Sequence, residues 1–123
     1  MAERLRRSNG IETEKLNFIS KTCVAGVTPE IDLLGGTLCG VLLESELTST
    51  YFTVTMARAS GGTYLTLCDP DAAGAAKQFS IGSTSTTKFI PISPLLTAGF
   101  RYCKINFDQS ETPTVYAAVR SLE

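Results

Sequence analysis

The sequence predicts an all-β protein: an antiparallel β-sandwich, jelly-roll-like, of about seven to eight short strands with an extended N-terminal arm. Serine and threonine make up 27 of the 123 residues and charged residues only 19%, a composition that favours strands over helices. Short apolar segments alternate with turn residues every ~8–12 positions, as in sandwiches and barrels. Strands do not alternate with helices, so a parallel sheet around a cofactor crevice is not expected.

The N-terminal arm is predicted to comprise residues 1–37, and the sandwich domain residues 38–123. Residues 1–15 carry a dense mixture of positive and negative charges, and several turn residues follow them. Residues 12–18 allow a short helical turn. Because such a segment buries little apolar surface alone, we expect it to be held by a neighbouring copy, by another protein or by its own sandwich.

From residue 37 onwards, each strand-forming segment ends at a turn or loop. The predicted strands are residues 37–44, 49–58, 63–69, 77–81, 88–92, 101–107 and 114–122. The pair 49–58 and 63–69 flanks a Ser-Gly-Gly turn, which is typical of a β-hairpin. Pro91 cannot donate a hydrogen bond to a neighbouring strand, so residues 88–92 are predicted to form an edge strand.

A single helical turn is predicted over residues 93–100, with Ser93 as its cap and Pro94 at its first position. Alternation also predicts the buried side chains, since every second residue of a strand faces the core. The predicted core residues are Phe52, Val54, Met56, Leu65, Leu67, Cys103, Ile105, Phe107, Val115, Ala117 and Val119.

Catalytic residues are not evident, and we predict that the chain is not an enzyme. It contains no histidine, the commonest general base, and its serines and cysteines lack a nucleophile motif. Asp69 and Asp71 resemble the start of a calcium loop, but no carboxylate follows within the loop, so a turn is expected. Glu44 and Glu46 are interpreted as solvent-facing charges. No cofactor and no metal are expected.

Charge and hydropathy also limit the partners. The net charge of −1 gives no basic field for nucleic acid, so the aromatic and basic residues of segment 100–104 are interpreted as an ordinary strand. No apolar stretch approaches the ~20 residues of a membrane span. The charged N-terminus does not resemble a signal peptide, so we expect a cytosolic origin. The four cysteines are expected to be reduced and buried.

Two segments resemble small β-sandwich proteins of tailed-bacteriophage particles. The stretch "YFTVTMARASGGTYLTLCD" matches a pattern xFxVxxxxxGGTxxxL, and "FIPISPLLTAGFRYCKINF" matches (I/L)xPxxxxGxRYxKI. A last strand ending in Arg120 completes the resemblance, which covers residues 49–122. Many relatives carry aspartate before the Gly-Gly pair, where this chain has Ser60. The pattern is a signature of a fold and not of a catalytic site.

The resemblance implies a non-enzymatic structural protein of the virion, assembled in the host cytoplasm. The first expectation is a capsid decoration or cement protein, a homo-oligomer that stabilises the head by binding the major capsid protein or other virion proteins. A tail, collar or baseplate adaptor and a glycan-binding module are the alternatives. The residues expected to bind the partner lie in the arm: Arg4, Arg6, Arg7, Lys15, Phe18 and Ile19.

Overall fold

The computed structural model describes residues 14–44, 47–71, 74–81 and 87–122. These parts of the chain form nine strands and one short helix. In chain order they are β1 (Glu14–Thr22), β2 (Ile31–Asp32), β3 (Thr37–Leu43), β4 (Tyr51–Ala57), β5 (Leu65–Thr66), β6 (Phe79–Ser80), β7 (Lys88–Pro91), α1 (Pro94–Thr97), β8 (Tyr102–Phe107) and β9 (Thr114–Leu122).

The strands form two antiparallel sheets. Sheet A has the order β1-β9-β3-β7, and sheet B has the order β2-β8-β4-β5, with β6 also paired to β4. Buried residues of both sheets, such as Val41 and Val115 of sheet A and Phe52 and Ile105 of sheet B, belong to one hydrophobic core. The prediction of an all-β sandwich is therefore confirmed, whereas the jelly-roll connection stays a prediction.

The core follows the alternation of the long strands. Phe52 lies at its centre, with the Phe79 ring stacked at 5.3 Å and the Phe107 ring tilted at 5.8 Å between centroids. The predicted core residues of β4, β8 and β9 are all buried. Leu65 is the exception, because β5 lies at the sheet edge and leaves this side chain 53% exposed. Leu67 is partly buried against the core.

Strand β7 and helix α1 close one end of sheet A. β7 is the edge strand that Pro91 predicts. The Ser93 hydroxyl oxygen accepts a hydrogen bond from the Leu95 N–H, and Pro94 is the first helical residue, as predicted. The buried Thr97 hydroxyl then donates a 2.8 Å hydrogen bond to the Leu38 carbonyl, which fixes the helix against β3.

The N-terminal segment differs from the prediction. Residues 14–22 form β1, which pairs with β9 without a break from Glu14–Leu122 to Thr22–Thr114, and not a helical turn. Ile31 and Leu33 are fully buried in the core. The part of the predicted arm from residue 14 to residue 37 therefore belongs to the sandwich, because its apolar residues complete both sheets.

Two further expectations have different outcomes. All four cysteines are free, but only Cys23 and Cys103 are buried, whereas Cys39 is half-buried and Cys68 is exposed. The expectation of four buried cysteines is therefore wrong for Cys68, which sits beyond the short edge strand β5. Within the described residues, no helix has the length and apolar character needed to cross a membrane.

Candidate functional site

The outer face of sheet A is unusually apolar. Because strand residues alternate between faces, Leu16 and Phe18 of β1 point away from the core while Ile19 packs towards it. Leu16 and Phe18 are each 48% exposed, and Phe89 of β7 is 46% exposed. Large apolar side chains therefore occupy both edges of a face that would be polar if it met only water.

Small residues lie between these edges. Phe18, Ala118, Gly40 and Pro91 follow one another across the four strands, each opposite the next. The Phe89 ring lies directly over Gly40, where a Cβ atom would come within 2.1 Å of its Cζ. The ring therefore covers Gly40, and Ala118 is also fully buried, so the middle of this face consists of small residues covered by larger side chains.

A groove of about 620 Å³ lies on this face, lined by residues of β1, β3, β9, β7 and the start of α1. Leu16 and Arg120 line it on one side and Phe89 and Pro94 on the other. At its α1 end, Leu95 is 91% exposed, the largest exposure among the large apolar side chains of the described chain. The groove is therefore lined mainly by apolar side chains, with Arg120 among its lining residues.

A β-bulge gives this groove its shape. The pairing of β3 with β9 shifts between Leu38 and Gly40, so Cys39 is an extra residue in the strand. Its thiol donates a 3.4 Å hydrogen bond to the Ala118 carbonyl. A bulge bends and twists its strand locally. This one lies at the start of β3, where Leu38 accepts the hydrogen bond from Thr97 of α1 and Cys39 lines the groove with Ile92.

The structure distributes the predicted arm residues unevenly. Phe18 lies exposed on the outer face of sheet A, whereas Ile19 is partly buried and packs against the core. Lys15 lies in β1, but only its backbone is described. Arg4, Arg6 and Arg7 lie outside the described residues. The sequence missed Phe89 and Leu95, although an apolar residue on the outer side of an edge strand is a signal that can be searched for.

The outer face of sheet B is polar by contrast. Thr53 lies opposite Asn106, and Thr55 lies opposite Lys104. The Lys104 ammonium lies 4.6 Å from the centroid of the Tyr64 ring, a cation–π contact. The two outer faces of the sandwich therefore differ in character, and only that of sheet A has the composition of an interface core.

One carboxylate organises the end of sheet B. Glu30 accepts hydrogen bonds from the Ser60 hydroxyl (2.6 Å), the Gly61 N–H (2.9 Å) and the Tyr64 hydroxyl (2.5 Å). These hydrogen bonds, that from Ser60 foremost, lower the pKa of Glu30. Desolvation and the Glu30 charge raise the pKa of Tyr64. All three hydrogen bonds to Glu30 come from the turn between β4 and β5, where Gly61 has φ +67°. We therefore interpret this cluster as one that stabilises the turn.

Two more carboxylates hold the start of β4. Glu111 accepts from the Thr48 and Ser49 N–H groups, each at 2.8 Å, and Asp108 accepts from the Thr50 N–H at 2.9 Å. Desolvation alone would raise the pKa values of both carboxyl groups, but the hydrogen bonds from these loop groups outweigh it and lower them. Both carboxylates therefore accept hydrogen bonds from backbone N–H groups, and their role is to stabilise the fold.

The described thiols and acids do not form a reactive group. Burial raises the pKa of the Cys103 thiol to about 12, and burial together with the charge of Glu111 raises that of Cys23 to about 11. Both thiols therefore remain protonated, and a thiol is a weaker nucleophile than a thiolate. Asp69 accepts a hydrogen bond from the Asp71 N–H, which makes the predicted turn. Within the described residues, no three acidic or cysteine side chains are grouped closely enough to hold a metal ion.

No protein-family model, curated protein or solved structure matches this chain. On this chain's own surface, the outer face of sheet A is the feature best suited to binding a partner.

Proposed function

We propose that this chain is a non-enzymatic structural protein of a tailed-phage particle, a capsid decoration protein that binds the shell through the outer face of sheet A. The observation that carries the proposal is the exposure of Phe18 and Phe89 on the outer face of sheet A. Large exposed apolar patches mark protein interaction sites. The sequence resemblance over residues 49–122 supports the virion as the place of that interaction.

The shape of the face suits a partner that inserts a side chain or an edge. The groove on this face is lined by Leu16, Phe89 and Pro94, and an aromatic residue beside a recess is typical of binding hot spots. Repetition on a capsid lattice would turn a modest affinity of each copy into strong overall attachment. Such a protein needs a rigid sandwich and an apolar binding face, but no catalytic group.

A tail, collar or baseplate adaptor is the second candidate, since the same apolar face would serve either location. Copy number separates them, because a lattice decoration occurs in hundreds of copies and a ring component in about a dozen at most. A glycan-binding module receives less support. Glycan sites commonly use open aromatic ring faces, yet Tyr64 is stacked with Lys104, and the Arg101 guanidinium lies 5.5 Å from the Tyr102 ring centroid.

The test has two parts. Quantitative blotting of purified particles from the phage that encodes the chain should find it in hundreds of copies. Purified chain should also sediment with particles that lack it, and Phe89→Asp should weaken that binding about tenfold or more, because a charge would replace an apolar wall. The matched control is Thr55→Asp, which adds the same charge to the outer face of sheet B.

Absence of the chain from purified particles would refute the proposal outright. About a dozen copies would replace decoration by the adaptor. Equal binding of wild type and Phe89→Asp would show that the outer face of sheet A is not the attachment surface.

A further inference from the structure

The free edge of β1 is the least protected sheet edge in the described structure. β1 is the terminal strand of sheet A and pairs only with β9. It has nine residues, contains neither proline nor glycine, and keeps one register along its whole length. The backbone groups on its other side form a template for a further strand.

The other sheet edges of the described structure are protected against strand addition. β7 has four residues and contains Pro91. β2, β5 and β6 have two residues each. Short strands and prolines are the usual means by which sandwiches prevent strand addition. Among the described strands, the contrast singles out β1 as an edge open to pairing.

We propose that two copies of this chain pair through β1 in antiparallel orientation about a two-fold axis at Asn17, joining their A sheets into one continuous sheet. Isologous pairing of identical strands is the simplest closed association, and β-augmentation supplies its hydrogen bonds. The proposal does not rest on the virion function, because it concerns the purified chain alone.

The position of the axis follows from which side chains would meet. Residues directly opposite each other lie on the same face, so an axis at Asn17 places Leu16 of each copy opposite Phe18 of the other. These are the two exposed apolar side chains of β1. They would cover each other in a four-residue cluster on the outer face.

Neighbouring registers are poorer. An axis at Phe18 places Lys15 opposite Lys21 twice, and like charges directly opposite each other are destabilising. An axis at Ile19 places Phe18 opposite Ser20 and leaves the apolar side chains without apolar partners. The pattern of β1 therefore selects Asn17.

Sedimentation equilibrium of the full chain tests the proposal. We expect the chain to reach the mass of a dimer, twice its 13.2 kDa, at protein concentrations no higher than about 100 µM. Phe18→Asp should give a folded monomer, because it places charge in the apolar cluster. Phe89→Asp is the matched control: its side chain has nearly the same exposure on the same face, but it lies at the opposite edge, so this variant should stay dimeric.

Cysteine cross-linking tests the register. In a Cys68→Ser background, Asn17→Cys should form an interchain disulfide under mild oxidation, because the two substituted positions face each other across the axis. Ser20→Cys is also exposed but would lie roughly 20 Å from its counterpart at about 3.4 Å per residue, so it should not cross-link.

A monomer at every concentration would overturn the proposal and would identify Lys15 and Lys21 as charges that protect the edge. Equal dissociation of the Phe18→Asp and Phe89→Asp variants would place the contact on the face instead of the edge. An uncross-linked Asn17→Cys dimer would overturn the pairing about Asn17. If a variant loses particle binding but remains dimeric, the result bears on the proposed function and leaves the β1 dimer intact.

Discussion

The Tyr64 hydroxyl donates a 2.5 Å hydrogen bond to Glu30, and this contact ties the turn after β4 to the segment in front of β2. Glu30 also accepts from Ser60 and Gly61 in that turn. The geometry of the β4–β5 hairpin thus depends on a carboxylate that lies some thirty residues earlier in the chain. This dependence makes the hairpin sensitive to pH.

Glu30→Gln is expected to lower the melting temperature at neutral pH, because an amide replaces a charged acceptor of three hydrogen bonds. The pKa of Glu30 in the folded protein is below its ordinary value of 4.5. Its contribution to stability is therefore complete above about 4.5 and is lost as the pH falls through the lowered pKa. Melting curves from neutral pH to about pH 3 should show the wild type converging on the variant.

Glu44→Gln is the control for this series, since Glu44 is exposed at the end of β3. It should melt like the wild type at neutral pH. A constant gap between wild type and Glu30→Gln over the acid range would contradict a role for the Glu30 charge.

Gly40→Ala is expected to destabilise the protein by about 1–3 kcal/mol, the usual cost of overpacking. The added Cβ would lie 2.1 Å from Cζ of Phe89, so the ring must leave its place over β3. In a Phe89→Ala background the same change should cost little. Urea denaturation of the wild type, the two single variants and the double variant should give a coupling energy of about 1 kcal/mol or more. Additive effects would show that Phe89 does not limit the size of the residue at position 40.

Phe52→Ala should cost about 3–5 kcal/mol, because it empties the centre of the core between Phe79 and Phe107. Leu65→Ala should stay within about 0.5 kcal/mol, since Leu65 is already largely in solvent. Alternation predicts both side chains as core residues, so the difference tests the tertiary structure directly. Chemical denaturation measures it, and similar losses for the two variants would place Leu65 in the core after all.

Thr97→Val should destabilise the protein by about 1–3 kcal/mol, the cost of leaving a buried hydrogen-bonding group unpaired. Valine keeps the shape of threonine but cannot donate to the Leu38 carbonyl. Thr53→Val makes the same replacement at a half-exposed position of β4 and should change stability by less than about 0.5 kcal/mol. Thermal or urea unfolding of both variants measures the two changes in stability. Equal stabilities would show that the Thr97 hydroxyl does not help to hold α1.

Much of the fold could be predicted from local patterns. Alternation over β4, β8 and β9 gives both the strands and their buried faces, because a period of two places every second side chain on the core. Pro91 identifies an edge, and Ser93 with Pro94 identifies a helix start. These signals are local, since each depends on backbone geometry within a few residues.

The sequence by itself thus determined the sandwich class, its long strands and its capped helical turn, and it predicted Phe18 as a partner-binding residue, which stays a prediction. Only the tertiary structure decided the place of β1, because its partner strand β9 lies about a hundred residues away and its apolar residues occur on both faces. It also decided that Leu65 is exposed, that Glu30 holds the hairpin turn, and that Phe89 lies on the same face as Phe18. Each of these depends on which strands become neighbours, and side-chain burial at an edge follows from the neighbours and not from the local sequence.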